Sequence, residues 1–256
     1  MKAVILAGGL GTRLSEETHL KPKPMVEIGE MPIIWHIMKI YSYYGVNDFI
    51  ICLGYKGHLI KDFFANFAVN TQDIEVDLRN NAIKNLNKFN ENWKVTLVDT
   101  GLKTDTAGRI KKIKKYLKGD KNFCLTYGDG LTSSNIKKTI DFHIKNKKNI
   151  TVTAVKAPGR FGSLSVNNLN LITTFAEKSD TIYINGGFFV LSSKVIDSIS
   201  SFSQSFEKDI LPIFTKKKEF AAYKHDGFWQ CMDNLREKEY LNKLWNSKKA
   251  PWKIWK

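Results

Sequence analysis

The sequence predicts an α/β protein, with a Rossmann-like, mainly parallel open sheet, helices on both of its faces and a smaller antiparallel portion. Three observations carry the prediction. Short continuous apolar runs alternate with segments of helical period through the first two-thirds of the chain, the run that opens the chain leads straight into a glycine-rich loop, and the later runs follow one another without long helices between them. At 256 residues, 43% hydrophobic and 25% charged, the composition is that of an ordinary folded chain, and a single domain over 1–256 is expected.

The elements can be justified in order. Lys2-Ala-Val-Ile-Leu-Ala7 is a buried strand. From Met31 to Tyr44, the apolar residues Ile33, Ile34, Ile37, Met38, Ile40 and Tyr41 fall at helical spacing, Gly45 ends the helix, and Asp48 to Leu53 is the next buried strand. A helix over about His58 to Phe67 follows. The stretch from Val69 to Trp93 is polar, rich in Asn and without a period, as expected of short strands in an excursion or of an arm facing a partner. Regular order returns with a strand at Lys94 to Val98, a helix near Ala107 to Leu117 and a strand from Asn122 to Tyr127. A helix over Ser134 to Asn146 leads to the strand Ile150 to Val155. Segments around Ser163, Ile172 and Ile182 to Leu191 form the antiparallel portion, and Glu207 to Thr215 and Leu235 to Trp245 are helical. The tail Pro251-Trp-Lys-Ile-Trp255 is too apolar for water and is expected to dock on its own domain or on another subunit.

Composition excludes several classes. No apolar run approaches the roughly eighteen residues of a membrane span, and the first strand is too short for a signal-peptide core, so no membrane insertion and a cytoplasmic location are expected. The three cysteines are far apart and the five histidines show no ligand spacing, which argues against a disulfide framework or a transition-metal site. A formal charge of +15 raises nucleic acid as a partner. Much of the excess, however, is lysine on the polar faces of helices near 111–118 and 137–148, and no nucleic-acid-binding motif accompanies it, so no nucleic-acid partner is expected.

Chemistry concentrates at two strand ends. Leu6-Ala-Gly-Gly-Leu-Gly-Thr-Arg-Leu14 follows the first strand, where its glycines let the backbone turn and bring N–H groups against phosphate. It is neither the dinucleotide fingerprint, because Leu14 stands at the third glycine position, nor a Walker loop. Arg13, Lys21 and Lys23 add cations, and Pro22 and Pro24 hold the lysines on an extended segment. Tyr127-Gly-Asp-Gly130 ends a strand at the edge where open α/β sheets bind ligands, which points Asp129 at the site. Asp129 is a hard oxygen donor of the kind Mg²⁺ takes.

Leu-Ala-Gly-Gly-Leu-Gly-Thr-Arg-Leu followed by Lys-Pro-Lys-Pro-Met-Val resembles the signature of the sugar nucleotidyltransferases. The resemblance runs nearly end to end and is strongest to the glucose-1-phosphate cytidylyltransferases, through Val-Asp-Thr-Gly (98–101), Gly-Arg (108–109), Tyr-Gly-Asp-Gly (127–130), Pro-Gly-Arg-Phe-Gly (158–162), Ile-Asn-Gly-Gly-Phe-Phe-Val (184–190), Gly-Phe-Trp-Gln (227–230) and Ala-Pro-Trp-Lys (250–253). It implies the nucleotide-diphospho-sugar transferase type of fold and a reaction of CTP with glucose 1-phosphate that yields CDP-glucose and pyrophosphate. In relatives this product leads to deoxysugars of bacterial surface polysaccharides.

The resemblance also implies roles. Leu6, Ala7, Gly8, Gly9, Leu10, Gly11, Thr12, Arg13, Lys23 and Gly128 hold the nucleotide, and Thr104 and Arg109 read the pyrimidine. Asp129 and Asp233 are the Mg²⁺ ligands, and Glu177, Lys178, Asn185, Gly186 and Gly187 hold the sugar phosphate. Two departures are visible: Ser179 replaces the proline usual after Glu-Lys, and Asp105-Thr-Ala-Gly108 replaces Met-Thr-Gly-Gly. They leave open another phosphorylated acceptor and another pyrimidine triphosphate, dTTP or UTP.

A sugar phosphate is already a nucleophile, so no activated serine, cysteine or histidine is needed. Catalysis is expected to rest on positioning and charge, with Arg13, Lys23 and Asp129 as catalytic residues and in-line attack on the α-phosphorus. A silent nucleotide sensor and a basic nucleic-acid-binding protein are the non-enzymatic alternatives. The family often forms symmetric oligomers, so a homo-oligomer is expected.

Overall fold

The structure is a computed structural model that describes residues 1–87, 91–156, 163–166, 171–176 and 182–255. Its centre is a seven-stranded sheet of β1 (Lys2–Ala7), β2 (Asp48–Leu53), β3 (Lys94–Asp99), β4 (Asn122–Tyr127), β5 (Ile150–Lys156), β6 (Tyr183–Ser192) and β7 (Phe220–His225), in the order β7-β5-β6-β4-β1-β2-β3. β1 pairs in parallel with β2 and β4, β2 with β3, and β5 with β7. β6 alone runs against both its neighbours, β4 and β5. That reversal matters for the site, because it brings the start of β6 to the edge where β1 and β4 end.

Strand alternation sends side chains to two cores. Ala3, Ile5 and Ala7 of β1 face one side, packed with helix α1 (Ile33–Tyr43), helix α2 (Leu235–Asn246) and the C-terminal tail. Val4 and Leu6 face the other, against Ala107 and Ile110 of the helix Thr106–Lys112 and against Phe206, Ile210 and Phe214. Helices therefore cover both faces, as the sequence predicts. Gly45 takes a φ of 82° and closes α1, with Val46 N–H bonded to the Tyr41 carbonyl and Gly45 N–H to that of Ser42, the paired bonds of a glycine C-cap.

Four outcomes refine the sequence reading. The segment Phe220–His225, to which the sequence reading assigns no element, is an edge strand. The polar arm folds as an antiparallel hairpin, Ile74–Asp77 against Ala82–Asn85. The helix expected from Glu207 starts as a π-type turn, Phe206–Ile210, and continues as Leu211–Lys216. The tail docks on its own chain: Trp252 is fully buried, stacked on Phe228 with centroids 5.4 Å apart, and Trp255 meets Trp35 edge-on. Among the described residues no helix is long and apolar enough to cross a membrane.

Candidate active site

The carboxyl ends of β1 and β4 and the start of β6 frame a cavity of about 660 Å³. Its floor is the loop after β1. Gly8 packs against the guanidinium of Arg109, where an added Cβ would lie 2.1 Å from Nη1, and Gly11 turns the chain with a φ of 67°. The loop passes into a tight turn over Thr12–Leu14 and is tied down from outside. Thr18 Oγ1 donates to the Gly11 carbonyl at 3.0 Å, Tyr55 Oη donates to the Thr18 carbonyl at 3.1 Å, and the Lys56 ammonium donates to the carbonyls of His19 and Leu20.

Lys23 enters from a second turn. Pro22 and Pro24 flank it, Val26 N–H closes the turn onto the Lys23 carbonyl, and the stem is buried so that the ammonium reaches the cavity. There it donates to Asp129 Oδ2 at 2.6 Å and to Asp233 Oδ1. The aspartates come from distant segments, and local pairing explains why they meet. Gly130–Thr132 pairs antiparallel with Trp229–Cys231, Gly130 opposite Cys231, and Met232 N–H donates to the Asp129 carbonyl, which sets Asp233, the next residue past the ladder, close to Asp129. Asp233 is held further by helix α2, since Glu237 accepts from the Asp233 N–H while Asn234 caps the Glu237 N–H. Burial works against the Lys23 charge, but the two carboxylates outweigh it and raise its pKa above the usual lysine value.

The donor set suits Mg²⁺. Two hard carboxylates from separate segments converge on one cationic position beside the glycine loop, and an ammonium already sits between them. Cys231, also on the cavity wall, is no competitor as a nucleophile. Burial, with Asp233, Glu237 and Asp129 nearby, pushes its thiol up to about 12.

The structure brings together most of the residues the sequence singles out. Leu6 to Thr12, Lys23, Thr104, Arg109, Gly128, Asp129, Asn185, Gly186, Gly187 and Asp233 all line the cavity. Arg13 lies in the turn after the loop, its side chain outside the described residues, and Glu177 and Lys178 lie outside the described residues altogether. Lys21 pairs with Glu27 at 2.8 Å.

Arg109 has contacts that the sequence does not show. Its guanidinium, buried and with its pKa lowered by that burial, donates to the carbonyls of Gly8, Leu53 and Gly101 and to Thr100 Oγ1 at 2.6–3.0 Å. One side chain thus ties together the carboxyl ends of β1, β2 and β3.

Three wall residues have no role in the sequence reading. Glu207 accepts from Tyr127 Oη at 2.5 Å, from Thr106 Oγ1 at 2.7 Å and from Ser205 Oγ at 2.9 Å, which fixes a carboxylate between the 104–109 segment and the end of β4. Tyr127 keeps its proton, because burial and the Glu207 charge raise its pKa. Trp229 Nε1 donates to the Gly186 carbonyl at 2.7 Å. Tyr127 and Trp229 stand inside recognisable motifs, whereas Glu207 shows no local signal.

A family model described as nucleotidyl transferase matches residues 2–236. The chain belongs to the nucleotidyl transferase family. Within this family it is 52% identical, over the full length of both chains, to the glucose-1-phosphate cytidylyltransferase of Salmonella typhimurium. It is 45% identical, again over both full lengths, to a Bacillus subtilis protein named as a probable glucose-1-phosphate cytidylyltransferase. Among solved structures, HddC from Yersinia pseudotuberculosis complexed with GMP-PN resembles it with a TM-score of 0.69 and 26% identity, covering 95% of this chain and 99% of that one. The nucleotidyl transferase fold is therefore shared with this solved neighbour.

Proposed function

We propose that the protein is a glucose-1-phosphate cytidylyltransferase, forming CDP-glucose and pyrophosphate from CTP and glucose 1-phosphate. One observation carries the site assignment: Lys23, Asp129 and Asp233 converge in the cavity whose floor is the glycine loop. The full-length 52% identity to a relative of that name supports the choice of base and sugar.

The reaction needs an acceptor phosphate placed in line with the departing pyrophosphate, and charge to stabilise the transition state. The loop Gly8–Thr12 cradles the triphosphate, with Arg109 bonded to the Gly8 carbonyl and keeping the turn in shape. Lys23 faces the phosphates and offsets charge that builds on the α-phosphoryl oxygens. Asp129 and Asp233 would hold Mg²⁺, which supplies Lewis-acid neutralisation of the phosphate oxygens. Thr104 lies on the base side, and Asn185, Gly186 and Gly187 on the sugar side with Glu207 as a fixed hydroxyl acceptor between them. No proton needs to be taken from a phosphate dianion, which fits the lack of any activated nucleophile in the proposed mechanism.

Self-association is part of the proposal. The hairpin exposes Val76, Leu78, Ile83 and Leu86, from 50% to 88% accessible, and Val76 pairs directly with Ile83. An apolar face of this kind calls for cover, and a second copy of the chain is the occupant consistent with an expected homo-oligomer. The deciding experiment mixes purified protein with Mg²⁺, each nucleoside triphosphate and a panel of sugar 1-phosphates, and measures pyrophosphate. Release that requires CTP and glucose 1-phosphate together is expected; release with another pair, or none, would overturn the assignment.

A further inference from the structure

Lys23 lies where two roles collide. Its ammonium is bonded to both carboxylates proposed for the metal, yet the reaction needs a cation on the α-phosphate and a divalent ion on those same carboxylates. Neither aspartate is deeply buried, at 24% and 21% accessible, while the lysine side chain is 9% accessible. Two carboxylates brought this close repel each other unless a cation lies between them. Lys23 supplies that cation from within the chain.

A dication bound by both aspartates would stand within a few ångströms of the ammonium, at a separation where like charges oppose each other strongly in a half-buried site. A triphosphate removes the conflict by offering the ammonium another anion, and the four-carbon lysine stem has the freedom to reach it. We infer that Lys23 is the resident counter-ion of the nucleotide-free site and that the metal binds tightly only when a nucleotide draws the ammonium off Asp129 and Asp233. Metal and nucleotide then enter as a coupled pair, each favouring the other by the same factor. The inference rests on the assignment of this cavity to nucleotide and metal, and it adds an exchange that activity alone would not reveal.

The test reads binding, not turnover. Mn²⁺ is titrated, with electron paramagnetic resonance detecting the free ion, into wild type and Lys23→Met without nucleotide and then with the uncleavable analogue α,β-methylene-CTP. Removing the resident cation should tighten Mn²⁺ binding about tenfold or more in the nucleotide-free protein, the change expected when a competing charge leaves a shared site. With the analogue present that advantage should shrink or reverse. Equal or weaker Mn²⁺ binding by the variant without nucleotide would overturn the exchange.

A second measurement uses the wild type only and so stands even if the variant misfolds. In a crystal grown with α,β-methylene-CTP and Mg²⁺, Lys23 Nζ should have left at least one of the two carboxylates. An ammonium still bridging both overturns the inference. Pyrophosphate release by the wild type tests the underlying assignment separately, so an active enzyme with unchanged Mn²⁺ affinity in the variant would remove the exchange and leave the function intact.

Discussion

In the cavity, charged groups are withdrawn from water: Lys23 is 7% accessible and Arg109 4%. On the hairpin 74–85 apolar groups are pushed into it, with Leu78 at 88% and Ile83 at 59%. Each region departs from the usual arrangement, and each departure has a different remedy. Buried charge is tolerated because both of these cations have partners within the same chain, Lys23 on two aspartates and Arg109 on three carbonyls and a hydroxyl. The hairpin's Val76, Leu78 and Ile83 stay half or more exposed even where Val76 pairs with Ile83, and the remedy for that surface has to come from elsewhere. Substitutions in the cavity should therefore be costly and coupled, while those on the hairpin should leave the protomer's fold alone.

The largest effect is expected at Asp129. Asp129→Ala removes one acceptor of the Lys23 ammonium and one proposed metal ligand, and should lower turnover by about 10²-fold or more, as loss of a fixed electrostatic group does. Pyrophosphate release under saturating substrates measures it, with circular dichroism confirming the fold. Near-normal turnover in a folded variant would show that the buried charges of the cavity serve structure alone, and the contrast with the hairpin would lose its functional meaning. Next comes Arg109→Met, which takes the guanidinium donor from the Gly8, Leu53 and Gly101 carbonyls and leaves Leu53 to Thr100 and Gly8 to the Tyr55 N–H. A loss of about 1.5–3 kcal/mol in urea unfolding is expected for removing a buried charged donor from neutral acceptors, together with a raised KM for the nucleotide as the loop loses its brace. An unchanged KM alongside the stability loss would separate the brace from binding.

The two regions also differ in how far they could be read from the sequence. β1, β2 and β4 end where the apolar runs end, because a strand buried on both faces needs an unbroken run and nothing else competes for it. Phe220–His225 escaped because it is an edge strand of mixed burial, with no pattern that distinguishes it from a connection. In the cavity, the glycines, Lys23 and Asp129 were legible from local context, while the placement of Asp233 needed the pairing of Gly130–Thr132 with Trp229–Cys231. Glu207 was not legible at all. Its meaning comes from Tyr127 and Thr106, which are far from it in sequence. The brace role of Arg109 was hidden for the same reason, since its acceptors are backbone carbonyls that no motif records.

Acid should act on the buried side of the comparison. His36 is fully buried, its Nε2 is 2.9 Å from the Ile28 carbonyl, and burial lowers its pKa to about 4. A histidine depressed in the folded state binds its proton first in the unfolded chain, so stability is complete above the unfolded value of 6.5 and falls as pH drops toward 4. Across that window the loss from this residue is about 3 kcal/mol. His143 and His225, also lowered by burial, act in the same direction. Urea unfolding at pH 7.0 and pH 5.0 measures the loss. A stability that holds or rises on acidification would mean that His36 is protonated within the fold.

The smallest effect on the protomer is expected on the hairpin, and there the outcome lies in assembly. Val76 and Leu78 are half or more accessible, so serine at both positions removes little packing and should change protomer stability by no more than about 0.5 kcal/mol. What it removes is the apolar face itself. If a second copy covers that face, sedimentation velocity should show the Val76→Ser/Leu78→Ser variant at a lower oligomeric state than wild type at equal concentration, with the unfolding transition of the dissociated protomer unchanged. A drop in protomer stability of several kcal/mol would place the hairpin within the fold's own core. The same assembly in variant and wild type would assign self-association to another surface and leave the exposed face of Val76 and Ile83 to a different partner.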